Sequence, residues 1–243
     1  MISYSMYKKL FILFKQFLYQ IIKDAMLFIC CLAPILCGVF IKFGIPFAEN
    51  LLRLQLGYAE ILAPYYLIFD LFLAVLTPMM FCFVASMIIL GEIDDGISRY
   101  MAVTPLEKSG YLISRLGFPT IISFIITVII LYIFSLNDFS FEMMIGISIL
   151  TSFIGLNISL MVVSISTNKV EGLAVVKLSG IFIIGIPAPF FITGNFQYPL
   201  YFLPSFWLSM FALENKIIFF FLCIGISIAW IFLLSKKFIK KIV

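Results

Sequence analysis

The chain has 243 residues, with 16 Lys and Arg against 12 Asp and Glu, a net charge of +4 and a mean hydropathy of +1.21. Only 12% of it is charged while 64% is apolar, against roughly 25% charged in a soluble domain, so a soluble fold of this size is excluded. It contains no His, which excludes His-based triads and His-containing zinc sites, and its five Cys lie inside apolar runs without the paired spacing of a metal or redox site.

Residues 1–23 open the chain. Leu10, Phe14, Phe17, Leu18 and Ile21 recur every three or four positions, with Lys8, Lys15, Gln16, Tyr19 and Lys23 around the other side. This pattern predicts an amphipathic helix lying in the membrane interface, its Lys side chains near anionic headgroups. A membrane crossing needs about 20 mostly apolar residues. The runs 25–41, 71–90, 116–134, 143–170 and 217–235 meet that requirement, and the second has an apolar lead-in from Ile61 to Phe69. The uncharged run 178–213 is too long for one crossing and too short for two. Pro187, Pro189, Pro199 and Pro204 interrupt it, so it predicts one crossing to about Phe191 followed by an outer re-entrant segment over 192–213. None of the runs alternates as a strand would. The expected fold is an all-α membrane protein of six transmembrane helices, forming one domain over 1–243.

Six crossings put both termini on one side. All Lys and Arg except Lys42, Arg53 and Lys216 then share that side, which makes it cytoplasmic by the positive-inside rule. The basic C-terminus reads as a membrane anchor, and no nucleic-acid partner is expected.

The cytoplasmic loop 91–112 holds most of the charge outside the termini. Ile93, Ile97, Tyr100 and Met101 would share one helical face, and Glu92, Asp95 and Arg99 another. Gly96 lies between them. Thr104 is placed to cap a following helix, with Pro105 at its first position and Glu107 returning a bond to the cap. The pattern therefore predicts a short amphipathic helix, a break and a new helix leading into the third crossing. Among the polar residues of the membrane runs, Asp70 falls at the outer boundary and reads as a hydrated interfacial carboxylate or a pathway residue. Asn157, with Ser152, Ser159 and Ser164, reads as helix packing or a cavity lining. In the outer segment Phe190, Phe191, Asn195 and Tyr198, with Tyr201, Phe206 and Trp207, form an aromatic belt or a gate.

The loop resembles that of type-2 permeases of ABC transporters, particularly their drug-export branch. Glu92, Gly96, Val103-Thr104-Pro105-Leu106, Gly110-Tyr111-Leu112 and Arg115 carry the likeness, together with the whole topology. The resemblance implies that Glu92 to Met101 form a coupling helix seated in a groove of an ATPase subunit. The adjacent Asp94-Asp95 pair is more acidic than that family's loop. It implies two cytosolic ABC ATPase subunits, a second permease chain (the same or a related one), and an outer segment that closes the exit. The sequence has no Gly-x-x-x-x-Gly-Lys-Ser/Thr loop, so ATP and Mg would reside on the partner, with no catalytic residue, metal or cofactor on this chain. Without a row of interior charges, the pathway suits amphipathic drugs, hydrophobic peptides or lipid-like molecules. Two other readings stay open at this point: a secondary transporter driven by an ion gradient, and a peptide-binding immunity protein on a permease fold.

Overall fold

A computed structural model describes residues 14–56, 61–96, 113–192 and 194–241, and these form helices joined by turns. Among the described residues, five stretches are long and apolar enough to cross a membrane. In chain order the helices are α1 over 14–23, α2 Ala25–Val39, α3 Ile45–Leu56, α4 Tyr66–Asp94, α5 Phe118–Phe134 and α6 Phe141–Ile165. The short helices α7 Lys169–Val176, α8 Gly180–Ile184 and α9 Ala188–Phe191 follow, then α10 Pro204–Glu214 and α11 Ile217–Lys241.

Helices α4 and α6 form the centre, packed against each other along their lengths. Helices α2 and α5 lie against α4, while α5, α10 and α11 lie against α6. The reason is in the side chains. Both central helices are apolar around most of their circumference, and an all-round apolar helix belongs in the interior of a bundle. Leu71, Leu73, Ala74, Val84, Ile89 and Leu90 of α4 are buried, as are Ile147, Leu150, Ile154, Ile158 and Val163 of α6. Small residues bring these two helices close. Ser86 and Ser159 meet oxygen to oxygen at 2.7 Å, and Gly155 lies directly over Pro78. Pro78 leaves a gap in the α4 hydrogen-bond ladder, and one residue earlier Thr77 bonds back to the Leu73 carbonyl at 3.0 Å. Helices α2 and α11 instead expose apolar faces, among them Ile29, Leu36, Ile218, Phe221 and Phe232.

The first apolar run does not end at Lys42. The helix continues through a π-helical turn, Phe40–Gly44, into α3. Residues Ala25–Gln55 thus form one 31-residue stretch, about 46 Å at 1.5 Å per residue and longer than the ~30 Å hydrocarbon core. Lys42 is satisfied by donating to the Ile133 carbonyl in the last turn of α5, where a cation meets the negative end of the helix.

Asp70 corrects a second expectation. It is fully buried rather than hydrated, and accepts from Leu136 N at 2.8 Å, Asn137 N at 2.9 Å and Asn137 Nδ2 at 2.8 Å. It ties the start of α4 to the turn leaving α5, satisfying the backbone donors of that turn. Asp70→Ala is expected to destabilise the chain by about 2–4 kcal/mol, since each buried donor left unpaired costs about 1–3 kcal/mol. An unchanged melting temperature of the detergent-purified variant would remove this role.

The predicted fifth crossing is not one continuous helix. Residues Lys169–Phe191 form α7, a 3-10 turn, α8 and α9, with a break at Gly185–Pro187. The prolines act as expected, and α10 repairs the break. The Ser209 hydroxyl donates to the Ile186 carbonyl at 2.9 Å. A Cβ on Gly185 would collide with Ser205 and approach Phe206 N to 2.7 Å. The outer segment is likewise more than a belt, because α10 buries Ser205, Phe206, Leu208 and Phe211 against the bundle. Trp207 Nε1 donates to the Tyr201 carbonyl at 2.8 Å and Trp230 Nε1 to the Phe202 carbonyl at 3.0 Å, which pins the segment between α10 and α11.

Candidate functional site

The ends of α1 and α4 and the starts of α2, α5 and α7 meet at one end of the bundle, where the charged loop leaves α4. Helix α4 runs through Glu92 and Ile93 to Asp94. Gly96 stops it with φ +71°, a left-handed conformation that costs glycine little. The closing bonds run from Asp95 N to the Gly91 carbonyl (2.9 Å) and from Gly96 N to the Ile93 carbonyl (3.0 Å). An amphipathic helix running unbroken from Glu92 to Met101 is therefore corrected. Glu92, Ile93 and Asp94 are the last turn of a central helix, and Gly96 separates them from the rest of the loop. Ile97, Arg99, Tyr100, Met101, Thr104 and Pro105 lie outside the described residues.

Glu92 turns inward instead of sharing an exposed face with Asp95. Its side chain is buried and forms a two-pronged ion pair with the equally buried Arg115. The Arg115 Nε bond to Oε2 measures 3.2 Å, and Nη2 bonds Oε1. Arg115 sits on the π-helical turn Ile113–Gly117 that leads into α5. The pair thus joins the two helices that flank the loop. A planar guanidinium suits this, since it offers two parallel donors to one carboxylate. Arg115 carried part of the family likeness, but spacing alone gave no sign of its partner.

A second tie fastens α4 to α7. Asp94 Oδ2 accepts from the backbone N of Lys169 at 3.0 Å, and Asn168 caps the helix by accepting from Glu171 N at 2.8 Å. Glu171 reaches back to the Thr167 N and hydroxyl at 2.5 and 2.6 Å, a variant of the reciprocal capping box. The Lys169 side chain lies across Gly91, where a Cβ would clash with its Cε and lie 2.8 Å from Nζ. Helix α1 closes the group, with Phe17 and Ile21 in the core and Phe14 5.3 Å from the Phe118 ring. The expected apolar stripe of α1 is thus buried protein surface at these positions. A cleft of about 480 Å³ remains between Gln20, Lys23, Asp24, Leu27, Ile88, Gly91, Glu92, Asp95 and Lys169. Apart from Glu92 and Asp95, the sequence reading had not joined these residues, which come from four separate segments. The one legible signal was Lys169, the single charge inside the apolar run 143–170.

The candidate pathway residues are scattered. Asp70 is at the opposite end of α4. Asn157 is fully buried in α6, with neither amide atom hydrogen-bonded among the described residues, while Ser152 and Ser164 bond back to their own helix. Phe190 packs on the core. Phe191 is exposed and stacks on Tyr65 at 5.5 Å. Asn195 and Tyr198 lie in the 3-10 stretch Gly194–Leu200, with the Tyr198 ring 5.4 Å from Tyr201. The structure does not gather these into one site.

Long apolar helices packed around two central ones, with charge gathered at one end, define a multi-pass helical membrane protein. The sequence profile described as "Fluoroquinolones export permease protein Rv2686c-like" matches residues 17–235, and the chain belongs to that family of drug-export permeases. The family agrees with the resemblance carried by the loop. The chain is 23% identical over 187 residues to the fluoroquinolones export permease proteins MT2760 and Rv2686c of Mycobacterium tuberculosis (strains CDC 1551 / Oshkosh and ATCC 25618 / H37Rv), covering 76% of this chain and 74% of each relative. No solved structure matches it.

Proposed function

We propose that this chain is the membrane-spanning subunit of an ATP-driven exporter of amphipathic, drug-like molecules, with fluoroquinolones the first class to try. Two cytosolic ABC ATPase subunits would bind and hydrolyse Mg-ATP, and a second permease chain, the same or related, would complete the pathway. The five long helices and the broken stretch 169–191 make six crossings, with both termini cytoplasmic and α1 at the interface. The observation that carries the reading is the anchoring of the charged loop. It leaves α4 at a glycine stop and rejoins α5 beside Arg115, whose pair with Glu92 holds both helix ends together. A push on the loop then moves α4 and α5 as one body, and the Asp94 bond to α7 passes it to the broken crossing. Glu92 serves as the anchor behind the coupling segment, and Ile97, Tyr100 and Met101 supply its apolar contact with the ATPase.

Ile97→Asp tests this directly. A carboxylate on the apolar face is expected to abolish co-purification of the ATPase from native cells and to stop export, with the chain's own melting temperature unchanged. Normal ATPase recovery and normal export would remove the coupling assignment.

A further inference from the structure

The cleft beside the Glu92–Arg115 pair has features of a ligand site that neither the loop nor the family accounts for. Its volume of about 480 Å³ falls within the range typical of small-molecule sites, about 300–1,000 Å³. Leu27 and Ile88 give it an apolar wall, and charge of both signs surrounds that wall. Lys23 and Lys169 supply two ammonium groups, while Asp24 and Asp95 supply carboxylates from different elements. Asp24 uses one oxygen to cap α2, 3.0 Å from Met26 N. Lys169 and Asp95 are both exposed, and no side-chain hydrogen bond or ion pair engages either among the described residues.

Two details separate this from an ordinary solvated surface. Gly91 leaves room for the Lys169 chain, and any side chain there would push the ammonium out of the cleft. Gln20 lines the cleft, and its Oε1 atom is buried with no hydrogen-bond partner among the described residues, an acceptor that costs free energy unless a donor meets it. A purely anionic ligand would meet the carboxylates and a purely cationic one the lysines, each at a Coulombic cost. A molecule carrying both signs on an apolar body satisfies all of them.

We propose that this cleft binds a zwitterionic amphipath, holding its anionic group at Lys23 and Lys169, its cationic group at Asp95 and Asp24, and its ring or chain against Leu27 and Ile88. The inference rests on the export reading above and names the chemistry of the molecule taken up. In the proposed orientation the cleft opens at the cytoplasmic leaflet, where an exporter collects its cargo. It also adjoins the ion pair behind the coupling loop, so an occupied cleft and a moving loop share residues.

The test uses the purified full chain in maltoside detergent, without an ATPase, and the intrinsic fluorescence anisotropy of a quinolone. The probe is a fluoroquinolone with a free carboxylate and a free piperazine nitrogen, compared with its methyl ester (cation only) and its N-acetyl derivative (anion only). The zwitterion is expected to bind at least about tenfold tighter than either, a difference of about 1.4 kcal/mol. Lys169→Gln should weaken the zwitterion and the anion and leave the ester unchanged. Asp95→Asn should weaken the zwitterion and the cation and leave the N-acetyl form unchanged. Both positions are exposed, so neither variant threatens the fold. Displacement of the zwitterion by added phosphatidylethanolamine would show that a lipid headgroup uses the same site, and no displacement would assign it to the solute alone.

Equal binding of the three forms, or variants that bind all three like the wild type, overturns the proposal. Export from cells by the wild-type chain is scored separately. Export without charge-selective binding overturns the cleft and leaves the exporter standing. Charge-selective binding without export keeps the cleft and overturns the exporter.

Discussion

Arg115→Met is expected to be among the most damaging single substitutions in this chain, lowering its stability by about 3–5 kcal/mol. That is the usual cost of removing one member of a buried pair, because the carboxylate left behind loses the two-pronged partner that offsets part of its desolvation. Glu92 is 4% exposed and Arg115 3%, so solvent screens neither. The double variant Glu92→Gln/Arg115→Met separates two roles. It removes both charges, so most of the stability should return, as buried pairs are often replaceable by neutral residues of similar size. Export should not return, because the two helix ends on either side of the loop are no longer fastened by a directional, two-pronged contact. Thermal unfolding in detergent and export from cells read the two effects independently. A single variant that melts like the wild type would show that the pair does not hold the helices. A double variant that exports normally would show that it does not transmit motion.

Gly155 is the second position where a small change should have a large effect. A Cβ there would lie 2.9 Å from both the carbonyl carbon and the carbonyl oxygen of Pro78. Backbone cannot step aside as a side-chain tip can, so Gly155→Ala must push α4 and α6 apart along the most heavily packed contact of the bundle. Overpacking of this kind costs about 1–3 kcal/mol, and Gly155→Leu should prevent accumulation of the folded chain. Gly225 and Gly180 supply the contrast, since a Cβ at either meets nothing within 4 Å. Alanine at Gly225, inside α11, should be neutral or stabilise by up to about 1 kcal/mol through helix propensity. If Gly155→Ala and Gly225→Ala melted alike, close approach of α4 and α6 would not be what holds the centre.

Much of the architecture was legible in the order of residues. Hydropathy alone placed four of the long apolar helices nearly to their ends, because an apolar run of crossing length has few other stable fates. Prolines marked the interrupted stretch 178–213, since a residue without an N–H weakens a helix interior, although α4 runs on through Pro78. The apolar stripe of α1 was equally plain, at a spacing of three and four. Three of the errors were of one kind. Lys42 looked like the end of a helix, Asp70 like a hydrated boundary group and Glu92 like part of an exposed face. In each case the charge is satisfied by a residue far away in the chain: Ile133, Leu136 with Asn137, and Arg115.

Composition and spacing thus establish on their own that this is a membrane protein and that its crossings are helical, and the charged loop after the second apolar run resembles a permease's. These are local properties, governed by the solvent around a segment and by the period of its side chains. Which helices occupy the centre, which acid meets which base, and the mixed-charge cleft at the loop end emerge only when the segments are packed. The free energy of a buried charge depends on the partner that packing brings to it, and neither its own segment nor its neighbours in the chain specify that partner.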